Sequence, residues 1–208
     1  MLVPYSFYNC ISLKNITFPS SISMSALPKY AFQNCYSLES CTIPSVTSSI
    51  NDYAFKDCRS LTSIALPLKI KTIGYNCYYN CYSLDNVSLP RNMSSVYPYA
   101  FYNCSSLKTV TIPRGCYTIA PNAFQKCYSM QKVIFQSLSG GINDNAFADC
   151  YTMRCYDFSA STVVPNLTST NVFTNISVGC QMLIPSALFG KWKSATNWST
   201  YASYMVAV

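Results

Sequence analysis

The chain has 208 residues, enough to bury a sizeable core, and is 50% hydrophobic yet only 10% charged, with no histidine. Ordinary globular domains are about 25% charged, and the place of the missing charge is taken here by Ser, Thr, Asn and 18 Tyr. The net charge of +7 comes from 14 basic residues spread thinly from Lys14 to Lys193, which argues against nucleic-acid binding, and no apolar run approaches the roughly 18–20 residues of a spanning helix, which argues against membrane insertion.

In chain order, Met1 to Tyr5 lacks the basic and apolar regions of a signal peptide. Leu2 to Cys10 reads as the back half of a repeat, so a solenoid edge is expected there and the natural chain is expected to continue N-terminally. The repeat itself shows in the cysteines. Cys35, Cys58, Cys81, Cys104, Cys127 and Cys150 stand 23 residues apart, and Cys10 precedes them by 25. Three residues before each cysteine is an aromatic (Phe7, Phe32, Phe55, Tyr78, Phe101, Phe124, Phe147), preceded by a small residue, usually Ala. Three residues after it is Leu or Met, from Leu13 to Met153. At six and eight residues after it lie further apolar side chains, as in Val110 and Ile112. Proline then follows at 19, 44, 67, 90 and 113, and another apolar residue recurs as Leu27, Ile50, Ile73, Val96, Ile119 and Ile142.

The alternating, β-branched segment after each cysteine predicts a short strand, ended by a proline that has no N–H for a ladder. One strand per 23 residues must pair in parallel with its counterpart in the next repeat, about 4.8 Å away. Equivalent side chains then stack into Leu, Val/Ile, Phe and Cys ladders along a solenoid roughly 35–40 Å long. The expected architecture is a single right-handed curved parallel sheet. The segment between proline and Ala-Phe is too short for a long helix and predicts irregular or 3-10 turns. From Ser159 the register drifts; Cys180 to Pro185 reads as a last strand, Ser186 to Lys193 as a short helix N-capped by Ser186, and Trp192, Trp198 and Tyr201 as a cover for the last turn.

The pattern Leu107-x-x-Val110-x-Ile112-Pro113, then Ile119 and Ala123-Phe124-x-x-Cys127, resembles the BspA-type leucine-rich repeats of bacterial and protozoan surface proteins. The resemblance covers residues 1–158, the first repeat truncated, and leaves 159–208 as a divergent last repeat and cap. It implies a leucine-rich-repeat solenoid, α/β by class, with little regular helix outside the cap. It further implies a cell-surface or secreted location and a role in adhesion or binding to a protein or glycan. The pattern departs from the ribonuclease-inhibitor type, which carries an asparagine ladder and a helix in each repeat.

The chemistry-bearing residues point the same way. Of the 12 cysteines only Cys77 and Cys81 have near-zinc spacing, and both fall in packing registers, so inert buried thiols are expected, with no metal and no cofactor. Cys155 alone points outward by register. Without histidine the Ser-His-Asp and Cys-His chemistries are excluded, no phosphate loop occurs, and the chain reads as non-enzymatic. Sequons at Asn15, Asn86, Asn92, Asn103, Asn166, Asn175 and Asn197 would accept glycans in a eukaryotic secretory route, but a chain this rich in Asn, Ser and Thr yields such matches by chance.

What remains is the outward face of the strand ladder. The candidate ligand-binding residues there are Lys14, Asn15, Thr17, Glu39, Thr42, Asp85, Asn86, Lys108, Thr111, Gln131, Lys132 and Arg154. Ser40, Thr62, Ser63, Ala65, Ser88, Thr109, Ile134, Cys155 and Asp157 fill the same rows. A second surface is the edge bearing Tyr36, Tyr82, Tyr128 and Tyr151, with Tyr8, Tyr79 and Tyr102 nearby, which either binds or only seals the flank. The alternative to a binding module is a rigid spacer within a larger surface protein.

Overall fold

Each proline that closes a strand also opens the turn after it. The carbonyls of Pro19, Pro44, Pro67, Pro90 and Pro113 all accept from the N–H three residues on, at 3.0 Å. A computed structural model describes residues 2–19 and 21–208. Its strands, in chain order, begin with β1 (Asn15–Thr17), β2 (Ala26–Leu27), β3 (Ser40–Thr42), β4 (Ser49–Ile50), β5 (Ser63–Ile64), β6 (Thr72–Ile73), β7 (Asn86–Val87) and β8 (Ser95–Val96). They continue with β9 (Thr109–Ile112), β10 (Thr118–Ile119), β11 (Lys132–Phe135), β12 (Gly141–Ile142), β13 (Cys155–Asp157), β14 (Asn166–Leu167), β15 (Gln181–Ile184) and β16 (Met205–Ala207).

The parallel solenoid stands as expected, but it carries two sheets where the sequence predicted one. The odd-numbered strands from β5 to β15, with β16 at the end, form one seven-stranded sheet, and the β1–β3 pair joins it through a Thr42–Ala65 bridge. The even-numbered strands from β2 to β14 form a second seven-stranded sheet. The recurring Leu27, Ile50 and Ile73 are therefore not mere spacer residues. Each is the buried half of a two-residue strand whose neighbour, Ala26, Ser49 or Thr72, is half-buried. Backbone donors and acceptors beside a core need partners, and a ladder on this side supplies them too.

The Ala-Phe turn solves the same accounting without a helix. In Tyr53 to Cys58, the N–H groups of 54, 56 and 58 bond three residues back, and those of 53, 55 and 57 donate to the next repeat at 2.8–2.9 Å. This alternation needs a left-handed residue at two places per repeat. Tyr30, Tyr53, Asn76, Tyr99, Asn122 and Asn145 fill the first, and Asn34, Asp57, Asn80, Asn103, Lys126 and Asp149 the second, all with φ between 53° and 63°. Asn and Asp tolerate that conformation best among residues with side chains. The segment between proline and Ala-Phe is an irregular turn, as expected, with one i→i−3 bond to the proline carbonyl, but it then enters the two-residue strand of the second sheet.

The second left-handed position also corrects the expectation that no asparagine ladder exists. Asn34 Nδ2 donates to Asn9 at 2.7 Å, Asn80 to Asp57 at 2.9 Å, Asn103 to Asn80 at 2.9 Å and Asn175 to Asp149 at 2.8 Å. Residues chosen for backbone conformation thereby tie successive repeats through their amides.

Inside, the Phe ladder is a continuous stack. Ring centroids from Phe7 through Phe32, Phe55, Tyr78, Phe101 and Phe124 to Phe147 are 5.1–5.3 Å apart and within 13° of parallel. Such pairs contribute about 0.5–1.5 kcal/mol each beyond the area they bury. The cysteine ladder is held by more than packing. Each thiol from Cys35 to Cys150 donates to the carbonyl of the ladder aromatic one repeat earlier, at 3.0–3.4 Å. That carbonyl already accepts the cysteine N–H of its own repeat, so both its lone pairs are used. A small apolar residue with one weak donor suits this position.

The C-terminal cap answers bonds that a further turn would otherwise meet. A 3-10 turn (Ser186–Leu188) leads into α1 (Phe189–Ser194), and a longer 3-10 segment (Trp198–Tyr204) leads into β16, which pairs in parallel with β15. Phe173 occupies the aromatic ladder position of the last turn, stacked on Phe147 at 5.9 Å. Its N–H donates at 3.4 Å to the Tyr201 hydroxyl, which in turn donates to the Thr170 carbonyl at 2.5 Å. Trp198 Nε1 donates to the Pro165 carbonyl and Asn197 Nδ2 to the Leu167 carbonyl, both at 2.7 Å. Trp192, Trp198 and Tyr201 are all buried, as their spacing predicted. Ser186 is not the helix cap expected of it. Its N–H and hydroxyl both donate to the Val208 carbonyl beside β16, and Pro185 precedes the turn without a side-chain cap.

Candidate ligand-binding face

The inward residues of the odd sheet are fixed by the core, and the residues between them point to solvent. Lys14, Asn15 and Thr17 lie at β1, Glu39 and Thr42 at β3, Asp85 and Asn86 at β7, Lys108 and Thr111 at β9, Gln131 and Lys132 at β11, and Arg154 just before β13. Ten of these twelve are exposed; Thr111 and Lys132 are half-buried. They do not form one site. Asp85, Asn86, Lys108 and Thr111 gather on adjacent rungs, while the β1 and β3 residues lie toward one end and Gln131, Lys132 and Arg154 toward the other.

Toward each end one pair of outward side chains is joined. The Ser40 hydroxyl donates to Asn15 Oδ1 at 2.6 Å, and Lys132 Nζ pairs with Asp157 at 3.1 Å. Burial works against the Asp157 charge, but the Ser159 hydroxyl and Lys132 outweigh it and hold this carboxyl below its ordinary value. In the middle the ladder opens. Strands β9 and β11 share four residue pairs, whereas β7 and β9 share only Asn86–Thr109, and β3 and β5 are likewise joined by a single pair. A concavity of about 520 Å³ lies there, lined by Asn86, Ser88, Thr109, Thr111 and Gln136 on its polar side, Leu66, Leu68, Leu89, Pro90 and Pro113 on its apolar side, and Arg91. Asp85, Asn86, Lys108 and Thr109 line a neighbouring hollow of about 300 Å³.

Arg91, Gln136 and Leu68 were not among the sequence candidates, which were confined to the strand. The period could have found two of them, because the position after proline runs Leu68, Arg91, Arg114 on successive repeats. The opening between β7 and β9 had no sequence signal.

The tyrosine flank packs on itself. Tyr79 stacks on Tyr102 at 4.7 Å and Tyr128 on Tyr151 at 5.7 Å. The Arg59 guanidinium lies between Tyr36 and Tyr82, at 4.5 and 5.9 Å from the ring centres. Ten of the twelve cysteines are buried; Cys155 is half-buried on the outward row, and Cys180 is buried just ahead of β15. Burial pushes the Cys35 thiol up to about 11 and those of Cys41, Cys116, Cys150 and Cys180 to about 12, which keeps these five as neutral thiols near neutral pH. Among the described residues no group of three or more His, Cys, Asp or Glu is placed to hold a metal, and no helix is long and apolar enough to cross a membrane.

Stacked 23-residue turns, parallel ladders and a variable polar strand face define a leucine-rich-repeat solenoid. The model of the BspA type leucine rich repeat region matches six copies across residues 2–26 and 25–154, and the chain belongs to that family. Among solved structures, a leucine rich repeat protein of T. pallidum is 28% identical over 73% of this chain and 70% of its own, with a TM-score of 0.68. One from Eubacterium ventriosum is 24% identical over 79% of this chain and 43% of its own, with a TM-score of 0.65. A leucine rich cell surface protein of Faecalibacterium prausnitzii is 20% identical over 89% of this chain and 57% of its own, with a TM-score of 0.49. No curated protein matches the sequence. Membership of the family makes the chain a protein-interaction or structural module.

Proposed function

We propose that the chain is a non-enzymatic, surface-exposed binding module that engages a protein or glycan partner through the outward face of its odd-numbered strand ladder. The observation that carries this reading is the contrast along that face. Asn15 is joined to Ser40 near one end and Lys132 to Asp157 near the other, whereas around β7 and β9 the Asn, Ser and Thr side chains have no side-chain partner among the described residues and line a concavity. A solenoid varies such positions freely while its inward ladders stay fixed. The surface location rests on the family.

The spacer reading draws on one observation of its own. The unbroken aromatic stack and single core favour a stiff rod, which a spacer needs. The two separate in a capture experiment: the immobilised chain is offered a panel of extracellular-matrix proteins and mucin-type glycans by surface plasmon resonance. The binding reading expects saturable capture that the combined Lys108→Glu, Lys132→Glu and Arg154→Glu variant loses. Equal capture by that variant removes this face, and no capture of any panel member leaves the spacer.

A further inference from the structure

Resting on that reading, we infer that the opening between β7 and β9 is the ligand seat of this face, and that it takes an extended acidic peptide segment with one apolar side chain. Three features of the opening select that chemistry. First, its polar wall offers neutral amides and hydroxyls, from Asn86, Ser88, Thr109, Thr111 and Gln136. Both donor and acceptor are present on Asn, Gln, Ser and Thr, so this wall matches a peptide backbone, which carries one of each per residue.

Second, the rest of the lining is largely aliphatic. Leu68 is 71% exposed although its repeat neighbours at this position are Arg91 and Arg114. Together with half-buried Leu66 and the Pro90 and Pro113 rings it makes a place for one apolar side chain. No aromatic side chain lines the opening, so it lacks the flat ring on which a sugar would stack; the stacked pairs Tyr79–Tyr102 and Tyr128–Tyr151 lie outside it.

Third, the local charge is positive and uncommitted. Among the described residues the ion pairs involve only Lys29, Lys56 and Lys132, so Arg91, the Arg114 of the next rung and Lys108 stand free, within a chain of net charge +7. Asp85, at the neighbouring hollow, is the carboxylate on that side. A guanidinium at the rim of a concavity recognises carboxylate in a forked geometry. Carboxylate partners are thus favoured over basic ones, through both steering and contact.

The test uses the whole isotope-labelled chain and three probes: acetyl-Glu-Val-Leu-Asp-Glu-amide, acetyl-Lys-Val-Leu-Lys-Lys-amide and chitohexaose. The acidic peptide should shift the amide signals of Asn86, Ser88, Thr109, Thr111 and Gln136 saturably. Its Kd should rise about tenfold or more in Arg91→Glu and in Leu68→Asp, and should also rise with added salt. Both residues are exposed, so unchanged melting curves will show that the variants fold. Equal binding of the basic peptide, unchanged binding by Arg91→Glu, or chitohexaose shifting these signals in place of the peptide overturns the inference. Shifts confined to the β1–β3 or β11–β13 rows, or panel capture without any peptide response, also overturn it while leaving the ladder-face reading standing. Silence from all three probes together with no panel capture removes both.

Discussion

Raising the pH of a fully reduced solution from about 7 to about 9.5 should unfold this protein, because ten of its thiols are buried. Burial raises the pKa of every one of the ten; Cys58, Cys77, Cys104 and Cys127 lie well above an ordinary thiol. In the unfolded chain they ionise near about pH 8.5. Stability gained by keeping them neutral is therefore fully present below that value and is lost as pH rises from there toward the folded-state values. Each thiol withdraws about 0.8 kcal/mol at about pH 9 and about 1.4 kcal/mol at about pH 9.5. Ten together withdraw about 8 and about 14 kcal/mol, against a net stability of about 5–15 kcal/mol for a typical domain. Denaturant unfolding followed by circular dichroism, in a phosphine reductant at half-unit pH steps, measures this directly. The midpoint should hold to about pH 8 and then collapse within about one and a half pH units. A midpoint that stays level to about pH 10 would refute the argument, since it would mean that the ladder thiols ionise as easily inside as outside. Tyr78 and Tyr156, also pushed up by burial, add to the loss only above about pH 10.

Two substitutions probe single rungs. Tyr78 stands in the Phe ladder with a fully buried hydroxyl that has no hydrogen-bond partner. Tyr78→Phe should raise stability by about 1–2 kcal/mol by removing an orphaned polar atom without changing the stack, seen as a rise in Tm; a lower Tm would show that the hydroxyl is satisfied. At the other end, Tyr201→Phe leaves the Phe173 N–H and the Thr170 carbonyl unanswered. It should cost about 1–3 kcal/mol and speed amide exchange at Phe173 first, whereas unchanged exchange there would assign capping to the tryptophans alone.

The period carried most of the fold because each inward position recurs six or seven times, so noise at one rung is outvoted by the others. Phe124, Cys127 and Val133 could be placed from spacing alone, and all are buried. The second sheet was missed for a physical reason: strands such as β4 and β6 contribute two residues each, too few to show an alternation. The hydrogen-bonded Asn34, Asn80 and Asn103 were visible as letters, but their role depends on a left-handed backbone that no hydrophobic pattern reports. The Ser186 cap failed because a competing acceptor, the Val208 carbonyl, comes from 22 residues away. At the candidate face the sequence could list the outward rows, yet the concavity at β7 and β9 is lined from Leu66 to Gln136, and such a shape is a property of several repeats together.

That distinction bears on how this face works. The backbone of each repeat is constrained on every side: by two ladders, by a turn whose N–H groups alternate between neighbours, and by a thiol bonded to the aromatic one repeat back. Little freedom remains except in the outward side chains, and there Asn15 is joined to Ser40 and Lys132 to Asp157. Side chains that already satisfy one another give up those bonds on meeting a ligand, so the net gain there is small. Asn86, Ser88, Thr109 and Thr111 exchange only water, as do Thr17, Thr42, Thr62 and Ser63, but the first four also line a concavity together with Leu68 and Arg91. On the binding reading proposed above, the concavity favours a local seat of a few rungs over the whole length of the solenoid.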